Sequence, residues 1–175
     1  MKLFLIRHGQ TTGDLEDRYG GTYDDHLTEL GHEQLQATAQ ILTDSRVKTI
    51  FHSPLIRARE SATIISNHLD CPLVEVKGLK ERDYGILGGL TKAEALERYP
   101  EAAEAHKDHT NTDPEGESWK DFNDRVITAF REIVEQAPET AVILAHGGSL
   151  KRILTHLGEP LPDSIPDGGI IELTI

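Results

Sequence analysis

The chain has one cysteine, Cys71, among its 175 residues. That excludes an internal disulfide and a cysteine-built zinc cage, and leaves Cys71 as a small core side chain. Long apolar runs are missing too. The longest near the N-terminus, Leu3 to Ile6, falls far short of the ~7 to 15 residues of a signal-peptide core, and no segment approaches the ~20 that span a bilayer. A cytoplasmic protein without membrane attachment is expected. Cations are scarce: 18 lysines and arginines face 30 acids, a formal net charge of −12, the wrong sign for tracking a nucleic-acid backbone. An anionic ligand would approach against this field, so its affinity must come from a local cluster of arginines and backbone N–H groups. Repeats, low-complexity tracts and linker-like stretches are also lacking, and the length suits one well-buried domain rather than two. A single domain over residues 1–175 is the expectation.

What is present alternates strands with helices. Lys2 to Ile6 reads as a short buried strand, and Val47 to Phe51, Ala141 to Ala145 and Ile170 to Ile175 repeat its brief aliphatic pattern. Between them, Leu35, Ala39 and Leu42 share a helical face after a cap at Thr28, and Ala58, Ala62, Ile65 and Leu69 form a second stripe after Ser53-Pro54. Thr91 with Glu94, and Ser118 with Asp121, have capping-box character. The second pair leads into a helix carrying Phe122, Val126, Phe130, Ile133 and Val134. This alternation predicts an α/β fold, a three-layer α/β/α sandwich around a mainly parallel sheet. The stretch from Glu101 to Glu117 has no sustained period and reads as a loop, a lid-like excursion near 100–117.

Open sheets of this class bind ligands outside the carboxyl ends of their strands. Three histidines fall there: His8, His52 and His146. Glycine follows two of them, in His8-Gly9 and His146-Gly147, and a missing Cβ lets backbone N–H groups approach an oxyanion. His52 precedes Ser-Pro and reads as structural. A neutral imidazole held in one tautomer among cations attacks phosphorus well. Arg7 adjoins His8, while Arg57 and Arg59 follow the second strand, Arg57 on the first turn of a helix starting near Pro54. Its guanidinium can fork onto two phosphate oxygens. Taken singly, a strand-end histidine is more often a structural residue than a catalyst, and each arginine is as readily a solvated charge.

Together, Arg7-His8-Gly9 with Thr11, Ser53-Pro54-Leu55-Ile56-Arg57-Ala58, Glu81 and His146-Gly147 form an ordered set that resembles the histidine phosphatase superfamily, which includes the cofactor-dependent phosphoglycerate mutases. The likeness covers nearly the whole chain. It implies a phosphohistidine intermediate on His8, with Arg7, Arg57 and His146 binding the equatorial oxygens and Glu81 serving as proton donor and then base. Substrate binding by Arg7, Gln10, Thr11, Arg57, Tyr84, Lys92 and Gly147 is implied as well, with no metal site. By itself Glu81, in Lys80-Glu81-Arg82-Asp83, would read as solvated.

The chain also departs from its kin. Asp14 stands where the family often has Asn, and Gln10 where Glu is frequent. Gly148 follows the second His-Gly where mutases have Asn, as in the phosphatase relatives, and the interval 101–117 holds one cation, Lys107, instead of the mutases' paired arginines. The expected function is therefore hydrolysis of a small phosphorylated metabolite by a histidine acid-type phosphatase that requires no cofactor. A phosphoglycerate mutase, needing a 2,3-bisphosphoglycerate primer, is the alternative, and a non-catalytic phosphate-binding regulatory module a third reading. A serine esterase using Ser149 lacks a Gly-x-Ser-x-Gly elbow. His106 and His109 have metal-like spacing but loop-like surroundings, and read as solvated.

Overall fold

Strand β1 (Lys2–Arg7) buries Leu3, Phe4, Leu5 and Ile6 in succession, the continuous apolar run that a sheet covered on both faces requires. In the computed structural model, which describes residues 1–175, it lies in a five-stranded sheet with β2 (Thr49–His52), β3 (Leu73–Glu75), β4 (Thr140–Ala145) and β5 (Ile170–Thr174). The order is β3-β2-β4-β1-β5, with β5 alone antiparallel. Helices cover both faces, giving a three-layer α/β/α sandwich.

Alternate residues of the strands feed two cores, as the period-2 geometry of a strand dictates. Leu3, Leu5, Phe51 and Ile143 pack against Phe122, Val126, Phe130 and Ile133 of α6 (Trp119–Gln136) and Leu150, Ile153 and Leu154 of α7 (Gly147–Leu157). Phe4, Ile6, Ile50, Val142 and Leu144 meet Leu35 and Ala39 of α2 (Glu29–Ile41) and Ala58, Ala62 and Ile65 of α3 (Ile56–Leu69), with Cys71 beside them. Thr28 and Ser118 cap α2 and α6 by accepting the backbone N–H of Gly31 and Asp121. No helix is long and apolar enough to cross a membrane.

Register is what positions the site. Arg7 pairs with Ala145 and His52 with Leu144, so β1, β2 and β4 end at one level. The next residues of these strands, His8, Ser53 and His146, emerge side by side.

Three elements differ from the sequence reading. β3 is an unforeseen three-residue strand, too short to show a period. Thr49 rather than Val47 opens β2, Val47 being buried just ahead of it. The interval read as a loop begins with α5 (Pro100–Ala105), because proline suits the first helical turn and the following alanines favour helix. With α4 (Lys92–Arg98), capped by Thr91 and Glu94, it encloses a small third core of Leu87, Ala95 and Ala103. That core flanks the strand ends.

Candidate active site

A cavity of about 640 Å³ opens over the strand ends and is lined by Arg7, His8, Arg57, Glu81 and His146 together with residues from the flanking loops. His8 sits at its floor, 6% exposed, its backbone N–H donated to Ala145 O at 3.1 Å. Its Nδ1 lies 2.8 Å from the Gly9 carbonyl. A carbonyl only accepts, so Nδ1 carries the hydrogen and Nε2 keeps its lone pair. Arg57 Nε donates to that Nε2 at 3.3 Å. Burial, reinforced by Arg57 and Arg7, pushes the His8 pKa well below its ordinary range, leaving a neutral imidazole with its lone pair turned towards a guanidinium.

His146, fully buried, caps α7 with its ring 5.2 Å from that of His8. Its Nε2 lies 2.7 Å from Ser53 Oγ, and Ser53 Oγ also accepts the Leu55 N–H. Ser53 thus bridges the Leu55 N–H and His146 Nε2, while His146 Nδ1 is a buried atom with no protein partner. The pKa of His146 is likewise held well below its ordinary range by burial first, then by Arg57 and His8.

Both arginines are anchored. Arg57, on the first turn of α3 and 4% exposed, donates to Tyr23 O, Gly21 O and, at 3.0 Å, to the buried carboxylate of Asp25. Arg7 donates to Ile165 O and pairs with Asp167 at 2.9 Å. Glu81, 8% exposed, accepts the Arg82 N–H at 2.9 Å and the Gly148 N–H at 2.8 Å. A Cβ at Gly148 would stand 2.4 Å from Glu81 Oε1, so a larger residue there would shift this carboxylate.

The remaining expected residues divide. Thr11 lines the cavity and caps the short helix α1 (Thr12–Leu15) in a capping box with Asp14. The Asp14 carboxylate is occupied by the Thr11 N–H and hydroxyl. Gly147 and Tyr84 also line it, the Tyr84 hydroxyl pKa being raised by burial and by Glu81. Gln10 and Lys92 do not. The Gln10 side chain accepts from Thr28, and Lys92 is an exposed partner of Asp17. Arg59 is exposed away from the cavity, and His52 bonds the Ser53 carbonyl below it. Gly9 is needed for packing, not to expose backbone to a ligand. A Cβ on it would lie 2.4 Å from Leu35 and 2.6 Å from Gly31 O of α2.

Several lining residues were not foreseen. His106 is no solvated side chain, since it packs edge-on against Tyr19 and Tyr84 and bonds Asp113 at 2.9 Å. His109 stacks edge-on against Trp119. Arg82 fastens the segment 109–117 by donating to Glu117 O, His109 O and Asn111 O. Lys151 and Arg152 line the far end, and their positions three and four residues after Gly148 put them on one helical face. That spacing was the available signal. No group of three or more His, Cys, Asp or Glu side chains gathers as a metal cage.

Two buried neutral histidines make stability depend on pH. Once pH falls below the ordinary histidine value of 6.5, the unfolded chain takes up protons that the folded chain refuses. Stability should then fall with acidification, each histidine adding about 1.4 kcal/mol per pH unit between its unfolded and folded pKa. Thermal unfolding of wild type and His146→Gln between pH 7.5 and 5 tests this. The variant should show the shallower slope, and equal slopes would refute it.

A floor of hydrogen-bond donors and neutral imidazoles, with arginines converging on one nucleophilic nitrogen, is suited to a tetrahedral oxyanion. Comparison with known proteins agrees. The profile of the Histidine phosphatase superfamily (branch 1) matches residues 3–170. The uncharacterized phosphatase PhoE of Bacillus subtilis is 33% identical over 159 residues, covering 89% of this chain and 78% of that protein. A 2,3-bisphosphoglycerate-dependent phosphoglycerate mutase of Cytophaga hutchinsonii is 33% identical over 172 residues, covering 93% and 80%. Among solved structures, a mycobacterial glucosyl-3-phosphoglycerate phosphatase complexed with VO3 superposes with a TM-score of 0.86 at 26% identity, covering 99% of this chain and 92% of that one. The chain belongs to the histidine phosphatase superfamily.

Proposed function

We propose that this protein hydrolyses small phosphomonoesters through a covalent phosphohistidine on His8. The observation that carries the reading is the contact of His8 Nδ1 with the Gly9 carbonyl. The Nδ1 hydrogen is engaged by Gly9 O at 2.8 Å, so the Nε2 lone pair is offered to the cavity beside Arg57. In the first step Nε2 forms a bond to phosphorus as the phosphorus–ester oxygen bond breaks, and Glu81 supplies the proton that the leaving oxygen takes. Arg57 gives up its contact with Nε2 to bond the phosphoryl oxygens, with Arg7 and the imidazole of His146, both lining the cavity, as further donors to the charge of the transition state. In the second step water attacks phosphorus, Glu81 recovers the proton, and the P–N bond breaks to release inorganic phosphate.

Phosphoglycerate mutation is the second reading, favoured by the 33% identity to a mutase. A mutase would return the phosphoryl group from His8 to another hydroxyl of the substrate instead of to water. The lid offers little to hold such an intermediate, since Lys107, its one cation between 101 and 117, is exposed and paired with Glu104. Incubation with 3-phosphoglycerate, with and without 2,3-bisphosphoglycerate, separates the two. Release of inorganic phosphate independent of primer is the expected result. Primer-dependent formation of 2-phosphoglycerate with little phosphate would overturn it.

A further inference from the structure

Five arginines line the cavity: Arg7, Arg18, Arg57, Arg82 and Arg152. The first four are tied to protein acceptors, although Arg7 Nε, like Arg152 Nε, is buried without a hydrogen-bond partner. Arg7 and Arg57 pair with Asp167 and Asp25, Arg18 bonds Glu16 and Gly89 O, and Arg82 donates to three carbonyls. Arg152 differs, having no carboxylate or carbonyl partner.

Its guanidinium carbon lies over the Trp119 ring, 4.0 Å from the centroid, and its Nε is buried without a hydrogen-bond partner. That contact favours the cation but satisfies none of its N–H groups. Burial lowers the Arg152 pKa against the opposing pull of Glu81, whose two oxygens are already taken by backbone N–H groups. Lys151 stands alongside, its ammonium held by Asp163 O at 2.7 Å. In a chain with 30 acids and 18 lysines and arginines, acceptors for a cation are plentiful. A half-buried, oriented guanidinium left without one is costly unless something else supplies the acceptor.

We propose that Arg152, stacked on Trp119, forms a second anion subsite, so that the preferred substrates are phosphomonoesters bearing a further carboxylate or phosphate. The proposal rests on the phosphatase reading for the placement of the first phosphate at His8. Arg152 follows His146 by six residues on α7, an axial rise of roughly 9 Å. The second anion therefore lies at the far end of a small metabolite whose phosphoryl group is at the strand ends. A flat fork binds a carboxylate through two parallel N–H···O bonds, which lysine cannot reproduce. The cavity thus contains a source of specificity in α7, outside the lid.

Trp119 is the only tryptophan, so its fluorescence reports directly on this subsite. The test titrates phosphonates, whose C–P bond resists hydrolysis, in matched pairs: chains of two to four methylenes ending in a carboxylate, each against the same chain ending in methyl. A bisphosphonate arm distinguishes phosphate from carboxylate as the second anion. At least one anionic member should bind about tenfold more tightly than its methyl partner, a difference of about 1.4 kcal/mol, with a change in Trp119 emission. Arg152→Gln should erase the difference, and Arg152→Lys should restore only part of it. Discrimination below about twofold in every pair, or discrimination that survives Arg152→Gln, would overturn the proposal. The wild-type titrations alone decide it if the variants do not fold. Because binding is read without turnover, loss of all hydrolytic activity would defeat the phosphatase reading and leave this result standing.

Discussion

His8→Ala is expected to abolish turnover of phosphomonoesters, lowering kcat by about 10⁴ or more, the scale on which loss of a covalent nucleophile is felt. No other side chain at the strand ends can replace it. His146, the other imidazole at the strand ends, has its Nε2 engaged by Ser53 and its Nδ1 buried, so neither nitrogen is exposed for attack as His8 Nε2 is. Brief incubation of wild type with a phosphorus-labelled ester, quenched in alkali, should leave acid-labile label on the protein, and His8→Ala should show none. Equal labelling of the two would place the nucleophile elsewhere. The cavity left by truncating His8 removes no charge partner, since the ring is neutral. Unfolding curves of the variant should therefore remain cooperative and show that the loss is chemical.

The histidines were readable because strand ends are readable. β1 and β4 are runs of buried aliphatics, and a run that stops on His-Gly in an α/β chain marks the edge where ligands bind. Glu81 was different. It lies in a charged stretch outside any strand or helix, and its burial depends on meeting the start of α7 67 residues later, a tertiary fact that local pattern does not contain. The same holds for Arg152, which becomes distinctive only when Trp119 of α6 packs against it. Gly9 shows the converse error. Next to a nucleophile, a glycine suggests ligand approach, yet the missing Cβ here accommodates Gly31 and Leu35, a helix contact that nothing in the tripeptide announces. Gln10 and Lys92 carry a likeness to relatives in sequence, but in this fold their side chains are used by Thr28 and Asp17.

Arg57→Ala should lower kcat/KM by about 10² to 10³, the usual cost of removing one preorganised transition-state donor, and it should destabilise the fold as well. Asp25 is 5% exposed and its carboxylate pairs with Arg57 at 3.0 Å, with the Gly13 N–H as its other partner. Removing the guanidinium leaves an uncompensated buried charge, which typically costs about 3 to 5 kcal/mol. For a chain of this size that corresponds to a fall in Tm of roughly 6 to 20 °C. The two effects can be separated, because Asp25 bonds Arg57 and not His8. The double variant Arg57→Ala/Asp25→Asn removes the buried charge and should recover much of the lost Tm, while turnover stays as low as in the single variant. Recovery of both together would mean that Arg57 acts by holding the loop around Gly21 and Tyr23. A loss of turnover smaller than about fivefold would remove Arg57 from the phosphate clamp. Arg57→Lys sharpens the distinction, since it keeps the charge beside Asp25 but cannot reach Gly21 O, Tyr23 O and a phosphoryl oxygen with one ammonium. Its Tm should lie near that of wild type and its kcat/KM near that of Arg57→Ala.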